Sequence, residues 1–214
     1  MNYQHIIFDL DGTLVDSSTE IHEAAMLVCR DHKLDIPTQD YIREKTGSPP
    51  TQFFLDHGCH PADAESMVAK FRQHLADNAG NPECVFADVP SVLSRLRDAE
   101  LRISLATTKP TKLASLLLQR YGLLTYFSHV QGTDPPLKHK PHPDIILKCV
   151  SYAPDLTAAM VGDTTFDIDA AHQAGIVSVG YGKGAHGEDR LLGACPSYMI
   201  NSMSELLGVL GIQA

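Results

Sequence analysis

Asp9 and Asp11 stand two residues apart in Asp9-Leu10-Asp11-Gly12-Thr13, directly after the apolar run His5 to Phe8. On an extended chain, side chains two apart share a face. Two carboxylates so placed can share a divalent cation. Asp-Gly is also a common turn former, so the pair alone is compatible with a purely structural role. Three later segments weigh against that. Ala106-Thr107-Thr108-Lys109-Pro110 puts hydroxyls and free backbone amides where a helix should begin, a setting suited to a phosphate. Lys138-His139-Lys140-Pro141-His142-Pro143 fixes the ammonium of Lys140 in a proline-stiffened loop. Gly162-Asp163-Thr164-Thr165-Phe166-Asp167 places two further carboxylates four apart at the start of a helix, where Asp163 could complete a metal site and Asp167 also suits the helix dipole.

The elements that must position these groups can be read from periodicity. His5 to Phe8 reads as a buried strand delivering a polar loop at its C-terminal end. From Ser17 to about Cys84 the pattern is helical, with Ile21, Ala24, Ala25 and Val28 on one face and Ala64, Met67, Val68, Phe71 and Leu75 on another. Breaks at Gly47 to Pro50 and Gly58 to Pro61 divide it into a bundle of about four helices. Strands and helices then alternate: Arg102 to Thr107, a helix opened by Pro110, His129 to Thr133, a helix after Pro143, Ala158 to Gly162, Ile176 to Gly180 and Ser197 to Ile200. Such alternation predicts a mostly parallel sheet covered on both faces. The expected architecture is an α/β core, residues 1–16 and 84–214, interrupted after its first strand by a helical cap, residues 17–83. In a parallel sheet all C-terminal strand ends open on one edge, so the polar groups after the four strands should converge there.

Composition narrows the partners. With 17 basic against 26 acidic residues the net charge is −9, which disfavours nucleic acid and anionic membrane as bulk partners. No apolar run reaches membrane-spanning length and no signal segment opens the chain, and the five scattered cysteines suit a reducing compartment. The expectation is a cytoplasmic protein acting on a small anionic molecule, with its oligomeric state unassigned.

Together these motifs resemble the haloacid dehalogenase-like superfamily, whose phosphatases carry Asp-x-Asp-Gly-Thr, a Thr or Ser after a second strand, a Lys before a helix and Gly-Asp-x-x-x-Asp, in that order. Asp9 to Ser17, Lys109-Pro110 and Lys140 to Asp144 look like its phosphoglycolate phosphatase branch. The resemblance implies a Rossmann-like core and an aspartyl-phosphate mechanism, with Asp9 as nucleophile and Asp11 as general acid and base. It implies Mg2+ held by Asp9, the carbonyl of Asp11 and Asp163, with Asp167 orienting them from behind. Thr107, the Thr108 amide and Lys140 would bind the phosphoryl oxygens of a small phosphorylated metabolite, 2-phosphoglycolate first, with nucleoside monophosphates and pyrophosphate behind it. Thr108 stands where the family usually has Asn. A phosphosugar mutase would use the same motifs but usually has a histidine where this chain has Ile21, although His22 is adjacent. A hydrolytic dehalogenase would not need Asp11 or Asp163, and a non-catalytic interaction protein would not need Asp9.

Other features are assigned to structure. Asp16 is read as a turn residue and Gly182 to Gly187, despite matching G-x-G-x-x-G, as a glycine loop at the core edge rather than a dinucleotide site. His57, Cys59 and His60 lack a partner pair at zinc spacing, and Lys45, which could meet a substrate carboxylate or second phosphate, is read first as a solvated helix-end lysine.

Overall fold

A computed structural model of the protein describes residues 3–212. Six strands, β1 (His5–Phe8), β2 (Arg102–Ala106), β3 (His129–Gln131), β4 (Ala158–Gly162), β5 (Val177–Tyr181) and β6 (Tyr198–Ile200), form one wholly parallel sheet in the order β3-β2-β1-β4-β5-β6. This is the Rossmann-like order anticipated from the alternation of elements. Both central strands, β1 and β4, are buried along their whole length, which is why they read as continuous apolar runs rather than alternating ones.

Four helices, α1 (Ser18–Asp31), α2 (Gln39–Lys45), α3 (Pro50–Asp56) and α4 (Ala64–Asn78), follow β1. α1 packs on α4, with Ala24, Ala25, Val28 and Cys29 of one buried beside Met67, Val68, Phe71 and Leu75 of the other. Phe54 fills the space under α3, edge-on to Phe53 at 5.0 Å and to Phe71 at 5.7 Å; burying a ring of this size contributes about 2 to 3 kcal/mol. The chain departs and returns along paired segments, with Asp16 N–H donating to the Cys84 carbonyl and Phe86 N–H to that of Leu14. Asp16 itself accepts from Ser18 N–H and Oγ, a local turn contact as its spacing suggested.

The remaining helices, α5 (Val89–Asp98), α6 (Thr111–Arg120), α7 (Asp144–Ser151), α8 (Thr165–Gln173), α9 (Gly187–Gly193) and α10 (Glu205–Leu210), connect the strands. Strand limits differ from the sequence expectation by a residue or two. α6 differs instructively: Pro110 is its N-cap rather than its first helical residue, and the Thr111 amide is held by the Asp134 carboxylate. The Thr111 amide at the N-terminus of α6 therefore already faces an anion.

Candidate active site

β1 is flanked by β2 on one side and β4 on the other, although β4 lies 150 residues further along the chain. At such a reversal of strand order the loops diverge and leave a crevice at the carboxyl ends of the strands. Asp9 follows β1 and Asp163 follows β4, and the register Phe8 to Val161 holds the two ends level. Asp9, Asp163 and Asp167 present carboxylate oxygens within 4.8 Å of one another, and they are the one group of three such ligands among the described residues. His57, Cys59 and His60 form no such group: the His57 ring stacks on Phe53 and bonds the Asp35 carbonyl.

Lys140 reaches this cluster from the loop between β3 and α7 and is 2% exposed. Its ammonium donates to Asp9 Oδ1 at 2.7 Å, to Asp167 Oδ1 at 2.5 Å and to the Ala106 carbonyl at 3.0 Å. An ammonium has three protons, so all are committed to protein oxygens. The resemblance implies that Lys140 binds the phosphoryl group; in this structure its ammonium also braces Asp9 and Asp167. Asp167 is doubly engaged, since its Oδ2 accepts from Thr164 N–H at 3.0 Å and Thr164 Oγ1 at 2.7 Å, the capping box that opens α8.

Burial raises the Asp9 carboxyl to about 7, with the Asp167 and Asp11 charges adding to the rise and Lys140 opposing it. Asp163 is likewise pushed well above the usual carboxylate range, first by burial and then by Asp167 and Asp9. Two of the three buried carboxylates share the Lys140 ammonium and Asp163 has only neutral donors, which leaves the crevice short of positive charge.

Asp163 is held by Thr13 Oγ1 at 2.7 Å and by the Ala185 amide at 2.7 Å. The glycine loop 182–187 therefore belongs to the site, not merely to the core edge. A Cβ on Gly184 would stand 2.2 Å from Asp163 Cβ and 2.5 Å from the Gly12 carbonyl. Gly184→Ala should therefore displace Asp163, lowering stability by about 1 to 3 kcal/mol and turnover at this cluster at least about tenfold; an unchanged melting temperature and rate would show that the loop simply moves aside.

Asp11 faces away from this trio. Its Oδ1 accepts from Ser17 Oγ at 2.5 Å and its Oδ2 is ion-paired with Lys109. Lys109 and Ser17 were not singled out as site residues in the sequence. Thr107 is fully buried at the end of β2, its hydroxyl accepting from Lys109 N–H at 3.4 Å, while Thr108 lines a cavity beside Asp11. The segment Thr46 to Ser48, after α2, lines the same cavity, and Gly47 lies against Thr164 and Phe166. Ile21 also lines it, whereas His22 turns to the Pro37 carbonyl at 2.9 Å.

A model of the haloacid dehalogenase-like hydrolases matches residues 6–181. The chain is 35% identical over 210 residues to "Probable phosphatase IndB" of Dickeya dadantii, covering 95% of this chain and 91% of that one. It is 33% identical over 224 residues to a phosphoglycolate phosphatase of Chromobacterium violaceum, covering 96% and 97%. Among solved structures it resembles the haloacid dehalogenase-like family protein SP0104 of Streptococcus pneumoniae with a TM-score of 0.85, 25% identity, and 97% and 98% of the two chains covered. With its strand order, its strand-end carboxylates and these likenesses in agreement, the chain belongs to the haloacid dehalogenase-like hydrolase family, among its phosphatases.

Proposed function

We propose that the protein is a Mg2+-dependent phosphatase of small organic phosphate monoesters, with 2-phosphoglycolate first among them, working through an aspartyl-phosphate on Asp9. The observation that carries this is the convergence of Asp9, Lys140, Asp163 and Asp167 in one buried cluster at the reversal of strand order.

The donor set fits a hard divalent cation: every ligand atom is a carboxylate oxygen, and burial without enough positive charge holds Asp9 and Asp163 above their ordinary pKa. Asp9 and Asp163 would hold the ion with the Asp11 carbonyl, and Asp167, occupied by Lys140 and Thr164, would orient them. When bound, Mg2+ supplies charge neutralisation for the phosphoryl oxygens.

Lys140 occupies Asp9 Oδ1, and Asp9 Oδ2 has no hydrogen-bond partner among the described residues, so Oδ2 is the oxygen that attacks phosphorus. As the P–O bond to the leaving group breaks, Asp11 gives that oxygen a proton. It then takes one from the water whose oxygen attacks the aspartyl-phosphate, which releases inorganic phosphate and restores Asp9. Both Asp11 oxygens are engaged by Ser17 and Lys109, so the leaving-group oxygen must displace one of these partners. Thr107 and the Thr108 amide would steady the phosphoryl group, and Lys140 could join them only by sharing a proton now given to protein. Ile21 at the cavity and His22 turned to Pro37 leave the position where a mutase usually carries a histidine without one, which favours hydrolysis. The helices α1 to α4 would act as the cap that encloses the substrate.

Phosphate release from 2-phosphoglycolate, nucleoside monophosphates, pyrophosphate and simple alkyl phosphates tests the reading. With Mg2+, 2-phosphoglycolate should be turned over fastest, and EDTA should reduce every rate at least about a thousandfold, since charge neutralisation carries most of phosphoryl transfer. Release indifferent to EDTA would overturn the metal assignment, and no release from any ester would overturn the phosphatase.

A further inference from the structure

The cavity between the helices and the sheet edge measures about 70 Å³ and is bounded by Asp11 and Thr108 at the strand ends and by Arg72 of α4. Three cationic side chains line it. Lys45 is held by Asp56 at 2.8 Å and Lys109 by Asp11, so each already faces a carboxylate. Arg72 forms no hydrogen bond or ion pair with any described residue, and its Nε is a buried donor without an acceptor. The carboxylate that acts on it through space, Asp134, is taken up by Thr111 at the start of α6. A buried arginine donor left without an acceptor is unfavourable and calls for an explanation. Its position on a wall shared with Asp11 supplies one.

We propose that Arg72 is the specificity-determining residue of the site and that it receives a carboxylate carried by the leaving group of the phosphate ester. The inference rests on the phosphatase reading and deepens it. The Nε edge of a guanidinium presents two parallel N–H bonds that match the two oxygens of a carboxylate. With Lys45 and Lys109 each neutralised, the cavity has one positive charge to spare, which a carboxylate balances and a second phosphate, nearer two charges, does not. Ile21, Phe71, Leu75 and Leu113 give the wall apolar surface beside the hydroxyls of Thr46, Ser48 and Thr108, and an ion pair is stronger against such surface than in water. A cavity of this size takes a leaving group of few carbons and no nucleoside.

Binding to the inactive Asp9→Asn protein, measured by calorimetry with Mg2+ present, separates this from the phosphatase reading, because it needs no turnover. The probes are 2-phosphoglycolate and ethyl phosphate, which differ by the carboxylate. Adding Arg72→Gln should weaken 2-phosphoglycolate about 10- to 100-fold, the range for a hydrogen bond to a charged group, and leave ethyl phosphate within about twofold. Arg72→Lys should fall between, since it keeps the charge and loses the paired donors. Unchanged ethyl phosphate binding also shows that the variants are folded. If both ligands weaken equally, or if 2-phosphoglycolate binds no tighter than ethyl phosphate before Arg72 is changed, the assignment of Arg72 is overturned. Phosphate release by the unmodified protein then reports separately on whether it is a phosphatase.

Discussion

Asp9→Asn should abolish phosphate release, by at least about four orders of magnitude in kcat, while leaving the protein at least as stable as before. The first half follows from the chemistry: an amide oxygen is no nucleophile towards phosphorus, and removing an attacking group costs nearly the whole of the covalent route. The second follows from the charge balance. Asp9 is one of three buried carboxylates in a cluster with one ammonium, which it shares with Asp167, and the amide keeps its shape and can still accept from Lys140 while carrying no charge to desolvate. A pH series sharpens this. The folded protein raises the Asp9 carboxyl to about 7 from an ordinary 3.8, so between those values the native state holds a proton that the unfolded chain releases. The contribution of Asp9 to stability is then fully present below about 4 and is lost as pH rises through about 7. EDTA-treated protein should accordingly lose melting temperature from pH 4 to 7, and Asp9→Asn should flatten that fall. Asp163 is raised in the same direction and will leave a residual slope. Phosphate release within tenfold of the unmodified rate would remove Asp9 from the chemistry altogether.

How much of this was legible in the amino-acid order depends on how far each group lies from a regular element. Asp9 and Asp163 follow buried strands by one residue, so their place at the sheet edge comes directly from periodicity and from the rule that parallel strands open on one side. The buried faces of α1 and α4 came equally well from spacing. Lys140 is different: it lies nine residues beyond β3 in an irregular loop, and only the resemblance of its motif marked it. Its contacts with Asp9, Asp167 and the Ala106 carbonyl were not legible there, because the number of protein oxygens that converge on one ammonium is a property of packing, not of spacing. Lys109 looked like an ordinary residue before a helix-opening proline. Its pairing with Asp11 exists because β2 lies beside β1, with Leu105 level with Phe8, and sequence separation hides that neighbour. Arg72 was lost in the polar positions of an amphipathic helix, and nothing in α4 alone says that one of them faces a cavity of the sheet layer. The loop 182–187 matched a dinucleotide fingerprint for a reason unrelated to dinucleotides: Gly184 leaves room for the Asp163 side chain. Glycine spacing reports a close approach without saying what approaches.

The same charge balance that makes loss of Asp9 tolerable makes loss of Lys140 severe. Lys140→Met retains most of the volume and can fill the space, but among the described residues it removes the sole cation in contact with Asp9 and Asp167, and with it a hydrogen bond to the Ala106 carbonyl. Breaking a buried ion pair from one side generally costs about 3 to 5 kcal/mol, because the remaining charge stays desolvated and unpaired. Here two carboxylates are left, so the loss should fall at the upper end of that range, enough to consume much of the stability of an ordinary domain. In the unmodified protein burial lowers the Lys140 pKa but Asp167 and Asp9 more than reverse this, so the ammonium is charged throughout the accessible range. In the variant the deficit can be relieved by protonating the two carboxylates left behind. Denaturant unfolding of Lys140→Met in EDTA should therefore show a deficit that narrows as pH is lowered from 8 to 5, and Asp9→Asn should restore part of the lost stability in the double variant. Additive effects in that double variant would mean that Lys140 and Asp9 do not act as a pair, and would shift the role of Lys140 from bracing the nucleophile to bracing α8 through Asp167.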